Sequence, residues 1–141
     1  EDISIVGEDI YLHNAISGTL PLFSYGAGLQ KAVLLTALLA GNQNGILLID
    51  EIDNAINISA FQEIFSWFIN ACRRFNIQAF VTTHSAEAID AILENCCVET
   101  MDDIRIITLR KEANEHKTMA IVRTAKEAIR DRSEFEMELR V

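Results

Sequence analysis

The chain has 141 residues, 50% of them apolar, with one proline and six glycines: enough for one domain with its own core, and a composition that excludes a disordered segment. Its formal net charge of −9 is unevenly spread. Residues 1–100 hold only Lys31, Arg73 and Arg74 as cations, which excludes that part as a basic nucleic-acid surface.

No apolar run approaches a membrane span, and the acidic start lacks the basic opening of a signal peptide. Cys72 stands alone and Cys96 and Cys97 are adjacent, a spacing that fits no zinc site, so reduced thiols in the cytoplasm are expected. Residues 101–141 carry cations such as Arg105, Arg110, Lys111, Arg123 and Lys126 among acids. They read as an ordinary mixed-charge surface, with contact to a polyanion as the other reading.

In chain order, residues 2–6 and 9–14 alternate around Gly7-Glu8 and predict a hairpin or two edge strands. The start, without Met or cap, reads as a piece cut from something longer. Residues 17–22, Ser-Gly-Thr-Leu-Pro-Leu, read as a loop. A Gly-spaced stretch from Phe23 to Lys31 then opens a helix over residues 29–40, apolar nearly all round and so expected to be buried, with Gly41 ending it.

Next comes Gly45-Ile46-Leu47-Leu48-Ile49-Asp50-Glu51-Ile52-Asp53. A continuous apolar run bounded by a turn predicts a strand buried on both faces. Carboxylates are too costly to bury there, so Asp50 and Glu51 belong at its C-terminal edge, pointing to opposite sides. Acidic pairs at strand ends also serve as solvated turns or helix caps.

A helix over 59–74 follows, with Phe61, Ile64, Phe65, Phe68, Ile69 and Cys72 at helical spacing and Arg73 and Arg74 in its last turn. Residues 77–83 predict a second buried strand ending in Thr82-Thr83-His84-Ser85, with Ser85 capping a helix over 86–95. Two strands, 104–110 and 118–124, flank a polar turn at 112–117. A short helix over 125–132 closes the pattern, and the tail from 133 is weakly specified. The β-α-β-α alternation at the centre implies an α/β fold with a mainly parallel sheet and right-handed crossovers.

A Ser/Gly loop opening a helix, an apolar strand ending Asp-Glu, and a strand ending His-Ser, in this order, resemble the C-terminal half of an ABC-type ATPase domain. The closer resemblance is to the bacterial AAA-type, OLD-like group. It covers residues 15–95. Ser24-Tyr25-Gly26-Ala27-Gly28-Leu29-Gln30 looks like the signature motif and Leu47-Leu48-Ile49-Asp50-Glu51 like Walker B. Thr82-Thr83-His84-Ser85 looks like the switch-histidine segment, and Asp53-Asn54-Ala55 falls where the family carries its D-loop.

The resemblance implies a three-layer P-loop NTPase-like lobe, with an N-terminal hairpin and a C-terminal antiparallel strand pair, as a partial domain spanning residues 1–141. It implies ATP and Mg²⁺ as cofactors, with Asp50 holding the metal and Glu51 directing the attacking water. His84 would sense the γ-phosphate, and Ser24, Gly26, Gly28 and Asp53 would bind nucleotide. The partner would be a second copy closing over ATP, with nucleic acid reached through an attached domain, as in phage defence or repair, and no membrane.

Gln30 and Lys31 are assigned no chemistry. Two departures stand out: Ala55 and Asn57 occupy positions where related proteins often have Gly and His, and no Gly-x-x-x-x-Gly-Lys-Ser/Thr occurs in the chain. The phosphate loop and the family's Q-loop are therefore expected upstream, and the isolated chain is expected to be almost inactive. The other readings are a metal-dependent nuclease using Asp50, Glu51 and Asp53, and a non-catalytic interaction module; a helicase fits the motifs worse.

Overall fold

The computed structural model describes residues 2–16, 18–96, 100–111 and 118–135. Gly7, at φ +65°, makes the tight turn that folds β1 (Asp2–Val6) onto β2 (Asp9–Asn14) as an antiparallel hairpin, Val6 opposite Asp9. The expected loop at 17–22 is instead largely a third strand, β3 (Gly18–Pro21), which pairs with β2 from Asn14↔Gly18 to Tyr11↔Pro21. Gly, Thr and Pro disguise it. Proline is tolerated because β3 is an edge strand and Pro21 is its last residue.

A single 3-10 turn, Leu22–Ser24, leads into α1 (Ala27–Gly41). This helix starts two residues earlier than its sequence pattern and runs to Gly41, with Asn42 as its C-cap. It is not buried all round: Leu35 and Leu39 are buried while Leu29 and Leu34 are exposed. The parallel pair is β4 (Ile46–Ile49) and β5 (Gln78–Val81), in register from Ile46↔Gln78 to Ile49↔Val81.

Between them α2 (Phe61–Arg74) lays Phe61, Phe65, Phe68 and Ala71 on its buried stripe, and the Phe61 and Phe65 rings meet tilted at 5.2 Å. The helix stops in a Schellman motif. Asn76, at φ +53°, donates its N–H to Arg73 O, and Ile77 donates to Cys72 O. That turn aims the chain into β5.

The core gathers Leu47 of β4, Leu35 and Leu39 of α1, the α2 stripe, and Ala88 and Ala91 of α3 (Ala86–Glu94). Ser85 caps α3, accepting from Ala88 N at 3.0 Å. A second cluster joins Ile89 and Leu93 to Ala125 and Ala128 of α4 (Ala125–Phe135), with Ile106 of β6 (Arg105–Lys111) against it. β6 pairs antiparallel with β7 (Thr118–Thr124). The polar turn at 112–117, Cys97 and the tail beyond 135 lie outside the described residues.

The expected α/β lobe is present, with its parallel strands, N-terminal hairpin and C-terminal strand pair. The expected burial of its parallel strands fails, for β5 as for β4: Gln78 and Phe80 of β5 are exposed and none of its residues is fully buried. β4 is not buried on both faces: Leu47 points into the core at 6% exposure, while Leu48 is 75% exposed, Ile46 61%, and Phe80 beside them on β5 48%. An apolar run says that both faces suit burial; it does not say that this chain supplies the cover. Among the described residues, nothing covers the outer face.

Candidate nucleotide site at the carboxyl ends of the parallel strands

Two parallel strands deliver their following residues to one edge, so residues 50–53 and 82–84 must meet there. They do so through hydroxyls. Thr82 donates its Oγ1–H to Asp50 and accepts the Glu51 N–H at 2.9 Å, while Thr83 donates to Asp53 and accepts the Ser85 N–H at 3.0 Å. Backbone bonds continue the pairing past the strands, Thr82 N to Ile49 O and Ile52 N to Thr82 O, each 3.0 Å. His84 is exposed on the same edge, directly after Thr83.

Glu51 adopts the left-handed conformation, φ +48°, which costs an L-residue with a bulky side chain about 1 kcal/mol or more. Its backbone is held on both sides. The N–H is bound by Thr82, and the carbonyl accepts from Asn54 N at 3.0 Å and from Lys31 Nζ at 2.8 Å. The side chain is exposed, with Asn54 Nδ2 3.5 Å from its Oε2. Ala55 is also left-handed, φ +65°, where a glycine would be unstrained.

The Ser/Gly loop reaches the same edge. Gly26 is the N-cap of α1 and brings no side-chain oxygen to its first turn, where the Leu29 N–H donates to Gly26 O at 3.0 Å. Gly28 packs on the 51–55 turn: a Cβ there would lie 3.2 Å from Ala55 O. Ser24 is exposed on the preceding 3-10 turn. The Tyr25 hydroxyl is buried without a hydrogen-bond partner among the described residues, although Tyr25 O accepts from Gln30 Nε2 at 2.8 Å.

The structure thus places Asp50, Glu51 and Asp53 beside Thr82 and Thr83, with His84 next along the chain, and docks the Gly26–Gly28 end of α1 on the same turn. Sequence reasoning missed Lys31. Besides Glu51 O, it donates to Asn54 O at 2.8 Å. Partial burial pushes its ammonium below the usual lysine value, opposed by the nearby Asp53 and Glu51 carboxylates. No signal along the chain pairs a lysine with carbonyls 20 and 23 residues away. The two threonines were visible as part of a motif, but their bonds to the carboxylates were not.

Among the described residues no group of three His, Cys, Asp or Glu side chains could hold a metal. Asp50 and Asp53 accept from separate threonines, and the Glu51 carboxylate bonds to neither. A lone strand-end carboxylate still suits Mg²⁺ on a nucleotide, since that ion takes one or two carboxylates and completes its shell with phosphate and water.

The chain is similar to several known proteins. Over 81 residues the chain is 35% identical to an ATP/GTP phosphatase of Helicobacter pylori, covering 55% of this chain but only 22% of that protein. An uncharacterized protein of Methanocaldococcus jannaschii is 31% identical over 87 residues, 62% of this chain and 75% of its own length. In fold, the chain is similar to a structure described under ATP-driven dimerization and DNA stimulated activation of SMC ATPases. The TM-score is 0.60 at 14% identity, over 92% of this chain and 73% of that one.

It is similar too to the Smc head domain of Pyrococcus furiosus bound to the C-terminal domain of ScpA. There the TM-score is 0.55 at 13% identity, over 92% of this chain and 29% of that one. Residues 8–90 match the family described as "AAA domain, putative AbiEii toxin, Type IV TA system", and the chain belongs to that AAA family.

Proposed function

We propose that the chain, residues 1–141, is the C-terminal lobe of an ATP-hydrolysing domain of the ABC/OLD-like type, and that the intact protein binds and hydrolyses ATP between two copies. One observation carries the reading. The Asp50-Glu51 pair and the Thr82-Thr83-His84 segment share one sheet edge, and the Gly26–Gly28 end of α1 is packed on the same turn. The family and the phosphatase relative support nucleotide hydrolysis as the general activity.

Bound Mg²⁺ would neutralise phosphate charge, and Asp50, at the end of β4, would hold it. Glu51, with its backbone fixed and its carboxylate exposed, orients the attacking water. His84 contacts that water or the terminal phosphate as donor or acceptor. Asp53 steadies the segment through Thr83. Ser24 and the N–H groups at Gly26 and Gly28 face the nucleotide of the second copy, in the manner of an anion site at a helix start.

The missing phosphate-loop lysine lies outside these 141 residues in this reading, which makes the chain alone nearly inactive. A cytoplasmic setting and coupling to an effector acting on nucleic acid belong to the same proposal, as analogy with the neighbours. Among the described residues, no helix is long and apolar enough to cross a membrane.

The test is the ATPase rate of the intact protein. Glu51→Gln should lower kcat at least about a hundredfold while nucleotide still binds. An unchanged rate in that variant removes Glu51 from the mechanism. Brisk Mg-ATP turnover by residues 1–141 alone defeats the half-site argument.

A further inference from the structure

The left-handed Glu51 poses a mechanical question: what keeps a strained residue, with an exposed side chain, aimed in one direction? Thr82 answers for its N–H. Its carbonyl is held from α1, an element far away in the sequence, by Lys31.

We infer that Lys31 is the positioning residue for Glu51, tying the start of α1 to the turn after the acidic pair so that the loop before α1 and the Glu51 carboxylate move as one body. This rests on the ATPase reading above. Lys31 is three residues beyond Gly28, so the two share one helix face. Gly28 allows the helix backbone to approach Ala55 O closely, and Lys31 then reaches across to the Glu51 and Asn54 carbonyls, both at 2.8 Å.

Those two carbonyls bracket the turn, which is closed internally by Asn54 N to Glu51 O at 3.0 Å and Ile56 N to Asp53 O at 3.1 Å. An ammonium can serve two converging carbonyls from one point, and its charge strengthens both bonds. Neither acceptor is a side chain, so exchanging the side chains at positions 51 and 54 leaves the tie in place. If the Ser24–Gly28 loop meets the nucleotide of a second copy, a shift of that loop is passed through Gly28 and Lys31 to the water-directing carboxylate of its own copy.

The experiment uses the intact protein with Lys31→Met, which removes the donors, and Lys31→Arg, which restores charge and donors. It reads kcat and KM for Mg-ATP, and amide exchange at Asn54 and Ile56. Lys31→Met should lower kcat about tenfold or more with KM within about twofold, and should speed exchange at Asn54 and Ile56 but not along β4 and β5. Lys31→Arg should recover most of both.

Wild-type kcat in Lys31→Met overturns the inference. So does equal impairment of both variants with protection lost throughout β4 and β5, which marks a bulk structural role. If the wild-type protein hydrolyses no ATP, the function proposed above fails by itself. The exchange arm then decides whether Lys31 holds the turn: faster exchange at Asn54 and Ile56 supports it, and unchanged exchange refutes it.

Discussion

At the scale of single residues, the site depends on how closely α1 approaches the 51–55 turn, and Gly28 sets that distance. A methyl group there gains helix propensity of about 1 kcal/mol. It also meets the Ala55 carbonyl at 3.2 Å, a backbone atom held in a left-handed turn that cannot rotate away like a side chain. Overpacking of that kind costs about 1–3 kcal/mol, so Gly28→Ala should come out net destabilising by about 1 kcal/mol.

Gly41, at the other end of the same helix, has no described residue outside its own helical turn within 4 Å of its Cβ position. Gly41→Ala should therefore stabilise by about 0.5–1 kcal/mol through propensity alone. Paired urea melts measure both. Equal shifts in the same direction would show that Gly28 has no special contact.

Among the elements, α4 carries a reciprocal cap. Glu127 N–H donates to Thr124 Oγ1 at 3.2 Å, while the Glu127 carboxylate accepts from Thr124 N at 2.8 Å and from its hydroxyl at 2.9 Å. The backbone N–H of Thr124, and then its hydroxyl, hold that carboxyl below the usual carboxylate range. A folded-state value below the unfolded one means the contribution is complete above the ordinary range and is lost as the pH falls through the folded-state value. Protection factors in α4 should therefore fall as the pH drops below the ordinary glutamate value, and Glu127→Gln should flatten that part of the loss. An identical acid profile in the variant would assign the loss to other groups.

The elements also show where sequence reading succeeded and where it could not. β4, α2, β5 and α3 were legible because apolar runs and helical spacing are local signals, and Ser85 and the Arg73-Arg74 pair marked helix ends. The edge strand β3 was hidden because Gly18, Thr19 and Pro21 carry turn chemistry, and only pairing with β2 makes them a strand. The acidic edge was legible for the same reason as β4. Its fastening was not: the Thr82, Thr83 and Lys31 bonds join residues 20 to 32 positions apart and leave no periodicity.

For the whole molecule, the informative feature is the uneven cover of the parallel strands. Leu47 and Leu48 are adjacent and chemically identical, yet one is buried and the other is 75% exposed. In the 141-residue chain, Leu47→Ala should cost about 2–4 kcal/mol, from lost transfer energy and a cavity in the core that Leu47 shares with Leu35, Phe65 and Ala88. Leu48→Ala should stay within about 0.5 kcal/mol, as for a surface position.

If the chain is one lobe of a larger nucleotide-binding domain, the outer face formed by Ile46, Leu48 and Phe80 is an internal surface of the intact protein. Leu48→Ala should then cost about 2–4 kcal/mol there, close to Leu47→Ala. Thermal or denaturant melts of the two variants in both lengths of protein make the comparison. A Leu48→Ala change that is harmless in the intact protein too would mean the outer face stays open to solvent. The second layer assumed by the proposed function would then have to be placed elsewhere.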